Sequence, residues 1–252
     1  METTFFQVKR VQEILWVKFQ RDEKRNAFNR EMCHSLKALL KSARVAGDRA
    51  VVLYANAGID VWCSGHDLTE FGDLEQFVQE NEMIQLFEAI QASPLPVINL
   101  INGDLWAGGL LLAIVSDINL ALKGIEIRMP LNRMGLPIPD ALYGQVIHAL
   151  GTHHAKFLFL TGLPLPSDKV AQLPLFYEFF ESEEALFDGV LPILDGIRSG
   201  VRSGIQNSKW QVNTMAKGQS VTPNLEAIHQ QALQDQEVRN RVQKVKNLHG
   251  QK

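Results

Sequence analysis

Two short glycine-containing segments, Cys63-Ser64-Gly65-His66-Asp67-Leu68 and Asn102-Gly103-Asp104-Leu105-Trp106-Ala107-Gly108-Gly109, each lie between an apolar, strand-like run and a helix-like stretch. Two backbone N–H donors from separate loops can converge on one oxygen, which is an oxyanion hole. Each preorganised donor of that kind contributes about 3 kcal/mol to a transition state carrying charge on that oxygen. His66 is one of seven histidines and the only one inside these loops. Cys63 is read either as a nucleophile or as a small buried packing residue, the commoner fate of a free cysteine. Asp67 suits a structural role, accepting bonds from nearby amides. His153-His154 follows Gly151-Thr152 at a turn, and without a third ligand at a suitable spacing it reads as surface and not as a metal site.

The elements around these loops alternate in type. Ile14 to Phe19 is β-branched and aromatic, as a strand is, and a polar turn, Arg21-Asp22-Glu23-Lys24-Arg25-Asn26, follows it. Met32 to Ala46 has Leu36, Leu39, Leu40 and Val45 near helical spacing, and Ala50 to Tyr54 is a short buried strand. After the first glycine loop, Leu74 to Ala92 reads as a helix stopped by Pro94 and Pro96. Strand Val97 to Ile101 leads into the second loop, Gly109 to Val115 is a helix apolar enough to require burial, and strand Ile118 to Leu122 precedes a helix from Ala141 to Leu150. Repeated strand, loop and helix predict an α/β fold with parallel strands. From about Ser203 the pattern becomes polar helices ending in the basic stretch Arg239 to Lys246, read as a solvated helix face or a contact for carrier phosphates.

The chain has 252 residues, 46% hydrophobic, enough for one domain with a terminal extension or for two small domains. A net charge of −3 and a pI near 6.2 leave no basic face of the kind nucleic acid requires. Neither a secretory leader nor a run of roughly 20 apolar residues is evident, so a cytoplasmic protein without membrane association is expected. Two cysteines, Cys33 and Cys63, are too few for a disulfide scaffold and lack metal spacing.

From Ile14 to Gly162 these segments resemble the crotonase superfamily, which includes the enoyl-CoA hydratases and isomerases. The resemblance rests on the turn Arg21 to Asn29, the loop Cys63 to Leu68, the loop Asn102 to Gly109, and Leu160-Thr161-Gly162. It implies a spiral of ββα units over residues 1–200 and a helical assembly region over 201–252, giving a homotrimer or dimer of trimers. The substrate it implies is an acyl thioester of CoA or acyl-carrier protein, with no cofactor beyond the CoA or phosphopantetheine of the substrate. By this match the hole consists of the backbone N–H groups of His66 and Gly108. Lys24, Ser64, Gly65, Asp67, Leu68, Trp106, Gly109, Leu111 and Leu131 are the expected substrate contacts.

Two positions depart from the pattern. Leu111 and Leu131 stand where hydratases of this superfamily carry glutamates. Hydration needs a group to activate water and a proton source for the α carbon, each typically contributing about 100- to 10,000-fold, and leucine supplies neither. Asp140 is the best remaining acid, read either as catalytic or as the N-cap of the helix that follows. Tyr143 is a proton donor or packing, and Trp106 a pocket wall or core filling. The His66 side chain either acts directly or, with its N–H in the hole, points to solvent. Two reactions fit an enolate held without a water site: double-bond isomerisation through Asp140, and decarboxylation, the pattern of crotonase-like decarboxylases in polyketide pathways. An inactive thioester-binding or assembly module explains the missing glutamates as well.

Overall fold

The computed structural model describes residues 4–70, 81–135 and 138–249. Six strands form the main sheet: β1 (Phe6–Val11), β2 (Ile14–Phe19), β3 (Ala50–Tyr54), β5 (Val97–Ile101), β7 (Ile118–Leu122) and β9 (Glu178–Phe180), in that spatial order. The β1–β2 hairpin is antiparallel and every later pairing is parallel. Thus the parallel α/β expectation holds except at this edge, where β1 was not anticipated. A second sheet of three short parallel strands, β4 (Val61–Cys63), β6 (Asp104–Trp106) and β8 (Ile127–Arg128), was also missed. Strands of two or three residues are too short to display an alternation.

Helices cover both faces of the main sheet. On one side lie α1 (Arg30–Ala46), α2 (Glu82–Ala92) and α3 (Gly108–Val115), whose apolar faces join the larger core. α1 begins two residues before its predicted start, because the Asn29 side chain accepts the Met32 N–H and caps it. The first part of the predicted helix Leu74 to Ala92, residues 74–80, lies outside the described residues. Beyond α3 the chain forms α4 (Asp140–Leu150), α5 (Thr152–Thr161), α6 (Ser167–Val170) and α7 (Glu183–Ser199). α7 packs Leu186, Val190 and Leu194 against Ile14, Val52, Ile98 and Leu120 on the opposite face of the sheet. That second apolar face explains why the inner strands read as continuous apolar runs.

Polar side chains tie the later helices to this core. Asn99 and Asn119 face each other on β5 and β7; Asn99 Nδ2 donates to Asn119 Oδ1, and Asn119 Nδ2 donates to the carbonyls of Ala113 and Leu175. α8 (Arg202–Ala216) buries no residue fully, consistent with its polar composition, and is followed by α9 (Thr222–Gln234) and α10 (Gln236–His249). It docks through Lys209, whose ammonium donates to the carbonyls of Ile90 and Leu95 and pairs with Asp117 at 2.7 Å. Burial pushes Lys209 down and Asp117 up, each opposed by the charge of the other. Asp117 in turn accepts the Val97 N–H at the start of β5.

Replacing Lys209 with Met strands a buried carboxylate and two carbonyls, and the expected cost is about 3 kcal/mol, measured by urea unfolding. The double variant Lys209→Met with Asp117→Asn should recover part of that loss.

Candidate active site

The second sheet is the device that brings the two glycine loops together. β4 and β6 are parallel neighbours, with Val61 opposite Asp104 and Cys63 opposite Leu105, so the segments leaving their C-terminal ends emerge side by side. They meet backbone to backbone. A Cβ at Gly65 would lie 2.5 Å from the Gly108 nitrogen, and one at Gly109 would lie 2.0 Å from the Cys63 carbonyl oxygen. Only glycine fits these positions, and Gly65 also needs its φ of +92°. Between them, Ala107 takes φ 45° and ψ −114° immediately before α3. A non-glycine residue in that region costs on the order of 1–3 kcal/mol. This bend carries the chain from β6 into α3, whose first N–H, that of Gly108, belongs to the set a helix cannot satisfy internally. The positive end of the α3 dipole lies at the same point.

The polar turn after β2 holds the first loop from behind. Ser64 N–H donates to the Arg25 carbonyl, Phe28 N–H to the Gly65 carbonyl at 2.7 Å, and Asp67 N–H to the Phe28 carbonyl. Asn26 is buried with φ 49°, and its side-chain amide donates to the Trp62 carbonyl. Arg21 donates to the Ala27 carbonyl and pairs with Asp67 at 2.6 Å. Burial opposes ionisation of Asp67, but the Thr69 N–H and hydroxyl together with Arg21 outweigh it and hold the carboxyl at about 2. The structural reading of Asp67 therefore stands. Cys63 is buried and its thiol donates to the Asn26 carbonyl. Burial pushes that thiol up to about 12 against the Gly65 N–H, which leaves a packing residue and no thiolate nucleophile.

In front of the loops lies a cavity of about 360 Å³. Lys24, Ser64, His66, Asp67, Leu68, Trp106, Gly108, Leu111 and Leu131 all line it, while Gly65 and Gly109 form the backbone contact behind. Leu111 and Leu131 form part of an apolar wall completed by Met83, Ile84 and Phe87 of α2 and by Ile138. Sequence reasoning placed the α2 residues on a helix but had no signal for which face met the loops. It also passed over Arg25, which lies 5.0 Å over the Trp106 ring, with Arg128 at 5.2 Å. Trp106 is thus a cavity wall held between cations, not core filling.

The expectations for Asp140 and for the His66 side chain change. Asp140 is exposed and is not among the cavity-lining residues; nor is it the N-cap of α4, because Pro139 occupies that place and Asp140 is the first helical residue. Its charge there still favours the helix through the dipole. The His66 side chain does not point to solvent. It is 14% exposed, with Nε2 at 3.9 Å from Glu70 Oε2. Tyr143 packs its ring 4.7 Å from that of Phe159. His154 Nδ1 lies 3.0 Å from the Leu150 carbonyl. Among the described residues no helix is long and apolar enough to cross a membrane.

Among the described residues, Asp67 is the single carboxylate lining the cavity, and both of its oxygens are engaged by Arg21 and Thr69. What the arrangement offers is two glycine-loop backbones in contact beside a helix N-terminus, at an apolar chamber with cations at Lys24 and Arg25. That combination suits an oxyanion formed next to an apolar group.

The sequence model of the enoyl-CoA hydratase/isomerase family matches residues 9–247. A relative from Mycobacterium tuberculosis named as a probable enoyl-CoA hydratase is 27% identical over 161 residues, 64% of this chain and 65% of the relative, so the match spans just under two thirds of its length. The Escherichia coli methylmalonyl-CoA decarboxylase is 23% identical over 186 residues, 73% of this chain and 71% of that protein. A solved methylmalonyl-CoA decarboxylase in complex with 2-nitronate-propionyl-CoA superposes with a TM-score of 0.80 at 21% identity, covering 91% of this chain and 89% of the other. The Mycobacterium smegmatis enoyl-CoA hydratase superposes with a TM-score of 0.85 at 20% identity, covering 98% and 97%. At these identities the structural likeness concerns the fold, a crotonase-type spiral with a C-terminal helical region.

The Asp67 carboxyl lies at about 2 in the folded chain against an ordinary 3.8, so the unfolded chain binds more protons between those values. Its stabilisation is therefore complete at neutral pH and lost as pH falls from about 4 to about 2. Asp67→Asn should lower stability at pH 7 by about 2 kcal/mol and flatten that part of the acid-unfolding curve, followed by circular dichroism.

Proposed function

This chain belongs to the enoyl-CoA hydratase/isomerase family, and from that premise we propose that it binds an acyl thioester and stabilises its enolate without adding water to a double bond. The observation that carries this reading is the cavity itself. Two glycine-loop backbones meet at its floor, and leucine stands at positions 111 and 131. The thioester oxygen lies between the N–H groups of His66 and Gly108, and the acyl group lies against Leu111, Leu131 and Met83. The carrier, CoA or phosphopantetheine, enters as part of the substrate past Lys24.

Decarboxylation is the reaction this site suits best. The bond between the α carbon and the carboxylate breaks, its electron pair moves into the thioester to give the enolate, carbon dioxide leaves, and the α carbon then takes a proton. Transfer of a carboxylate into an apolar chamber raises its free energy relative to the delocalised enolate, and the hole lowers the barrier further. The resemblance to a methylmalonyl-CoA decarboxylase supports the same choice. Isomerisation of a β,γ-enoyl thioester shares the enolate but forms it by loss of a proton from the α carbon in place of carbon dioxide, and a proton is then added at the γ carbon.

A panel of 2-carboxyacyl, β,γ-enoyl and α,β-enoyl thioesters, on both CoA and acyl-carrier protein, should yield carbon dioxide or a shifted double bond and no hydroxyacyl product. Hydration at rates on the order of 1–1000 per second would overturn the proposal, and thioester binding with no turnover of any member would establish a binding module instead.

Gly108→Pro removes one donor at the first residue of α3, and Met83→Ala in the same chain makes room on one side of the ring; because a Cβ at Gly108 would lie 2.7 Å from the Met83 sulfur and 3.0 Å from Gly65 Cα, the comparison is made on protein whose circular dichroism and unfolding midpoint match those of Met83→Ala. Turnover relative to Met83→Ala alone should fall by about 100- to 1000-fold.

A further inference from the structure

We infer that the acyl group this site takes is an extended aliphatic chain, which runs from the glycine floor along Leu131 and Ile138 and reaches the cavity rim at Met134 and Leu68. This rests on the thioester reading above and names the class of acyl group which that reading leaves open.

The cavity separates charge from apolar surface by segment of chain. Among the described residues lining it, the ionisable ones, Lys24, Arg25, His66 and Asp67, all come from the turn after β2 and the first glycine loop. Of the lining residues at 81–87 and 111–139, one has a polar side chain, Asn81, and it is already engaged: its Oδ1 accepts the Met83 and Ile84 N–H groups as the N-cap of α2. Arg133 is exposed and does not line the cavity. An anionic carrier is therefore drawn to the walls that hold Lys24 and Arg25. The other walls offer no partner to a polar group along an acyl chain, which would be desolvated there at a cost.

Burial is graded along those apolar walls. Met83, Phe87 and Leu111 are buried, and Met83 closes on the floor itself, its Sδ 2.7 Å from where a Gly108 Cβ would stand. Ile84, Leu131 and Ile138 are half-buried and pack against the same core. Met134 and Leu68 line the cavity yet are 44% and 59% exposed. The apolar surface thus continues from a closed floor out to the rim, and does not end in a pocket sized to a short acyl group. The turn that carries Leu131, Pro130–Arg133, is tied to α5, because Asn132 Nδ2 donates to the Leu160 carbonyl. Large apolar side chains left exposed around a cavity mark surface that a ligand covers. A chain long enough to reach them buries its own methylenes and their side chains together.

The test is calorimetric binding of saturated propanoyl, hexanoyl and decanoyl thioesters of pantetheine, the unit that CoA and acyl carriers share. It is run on the wild type, on Met134→Leu, and on the double variant Met134→Asp with Leu68→Asp, whose unfolding midpoints should agree because both positions are exposed. Affinity in the wild type should rise by about threefold for each added methylene. The decanoyl-to-propanoyl affinity ratio should be kept by Met134→Leu and fall by about tenfold or more in the double variant, a change in selectivity that a merely structural role would not produce. Affinity that is flat or declines with length, or a ratio unmoved in the double variant, would overturn the extended-chain inference and leave the thioester reading standing. Binding of no thioester at any length would overturn that reading and the inference with it.

Discussion

The contact on which the rest depends is backbone against backbone, where Gly65 meets Gly108 and Gly109 meets Cys63. A methyl group at Gly109 would sit 2.0 Å from a carbonyl oxygen, well inside any permissible separation. This closeness lets amides from two distant stretches of chain address one small volume. It also explains why so much polar structure is built behind the first loop. Arg21, Asn26 and Phe28 all bond to it, and Asp67 closes the arrangement with a carboxylate held ionised. A hole made from main chain cannot adjust by changing rotamer, so its supports must be rigid.

The same constraint accounts for the second sheet. Three strands of two or three residues contribute little stability as a sheet, yet their parallel pairing sets the loops side by side and passes the chain through Ala107 into α3. Backbone strain at Ala107 lies within two residues of both glycines of that helix start. Such strain survives where the surroundings over-determine the conformation. Here the Ala107 N–H is held by the Arg128 carbonyl on β8, and α3 is buried along nearly its whole length.

Chemistry at this floor is shaped by what the walls lack. With Leu111 and Leu131 beside the glycine loops, charge placed on an oxygen at the loop backbones would lie against an apolar medium. Such a medium disfavours a carboxylate and favours a delocalised enolate. Far from this chamber, α8 is held by Lys209 and Asp117 to the end of α2 and the start of β5, so the C-terminal helices are coupled to the elements that form the cavity.

What the sequence by itself determined is whatever local chemistry can encode. The apolar runs at 14–19, 50–54, 97–101 and 118–122 became strands at those bounds, since buried parallel strands need no partner-specific signal. The glycine loops, their order and the leucines at 111 and 131 were legible for the same reason: each is a statement about single residues. Only the tertiary structure decided relations between distant residues. It moved Asp140 out of the cavity, turned the His66 ring inward toward Glu70, and supplied Met83, Ile84 and Phe87 as wall. It also revealed Asn26 and Lys209 as anchors, polar residues whose burial depends on partners 36 and 92 to 119 positions away. Spacing along a chain reports which face of a helix is apolar; which surface that face meets is decided by packing, and a catalytic cavity is made of such meetings.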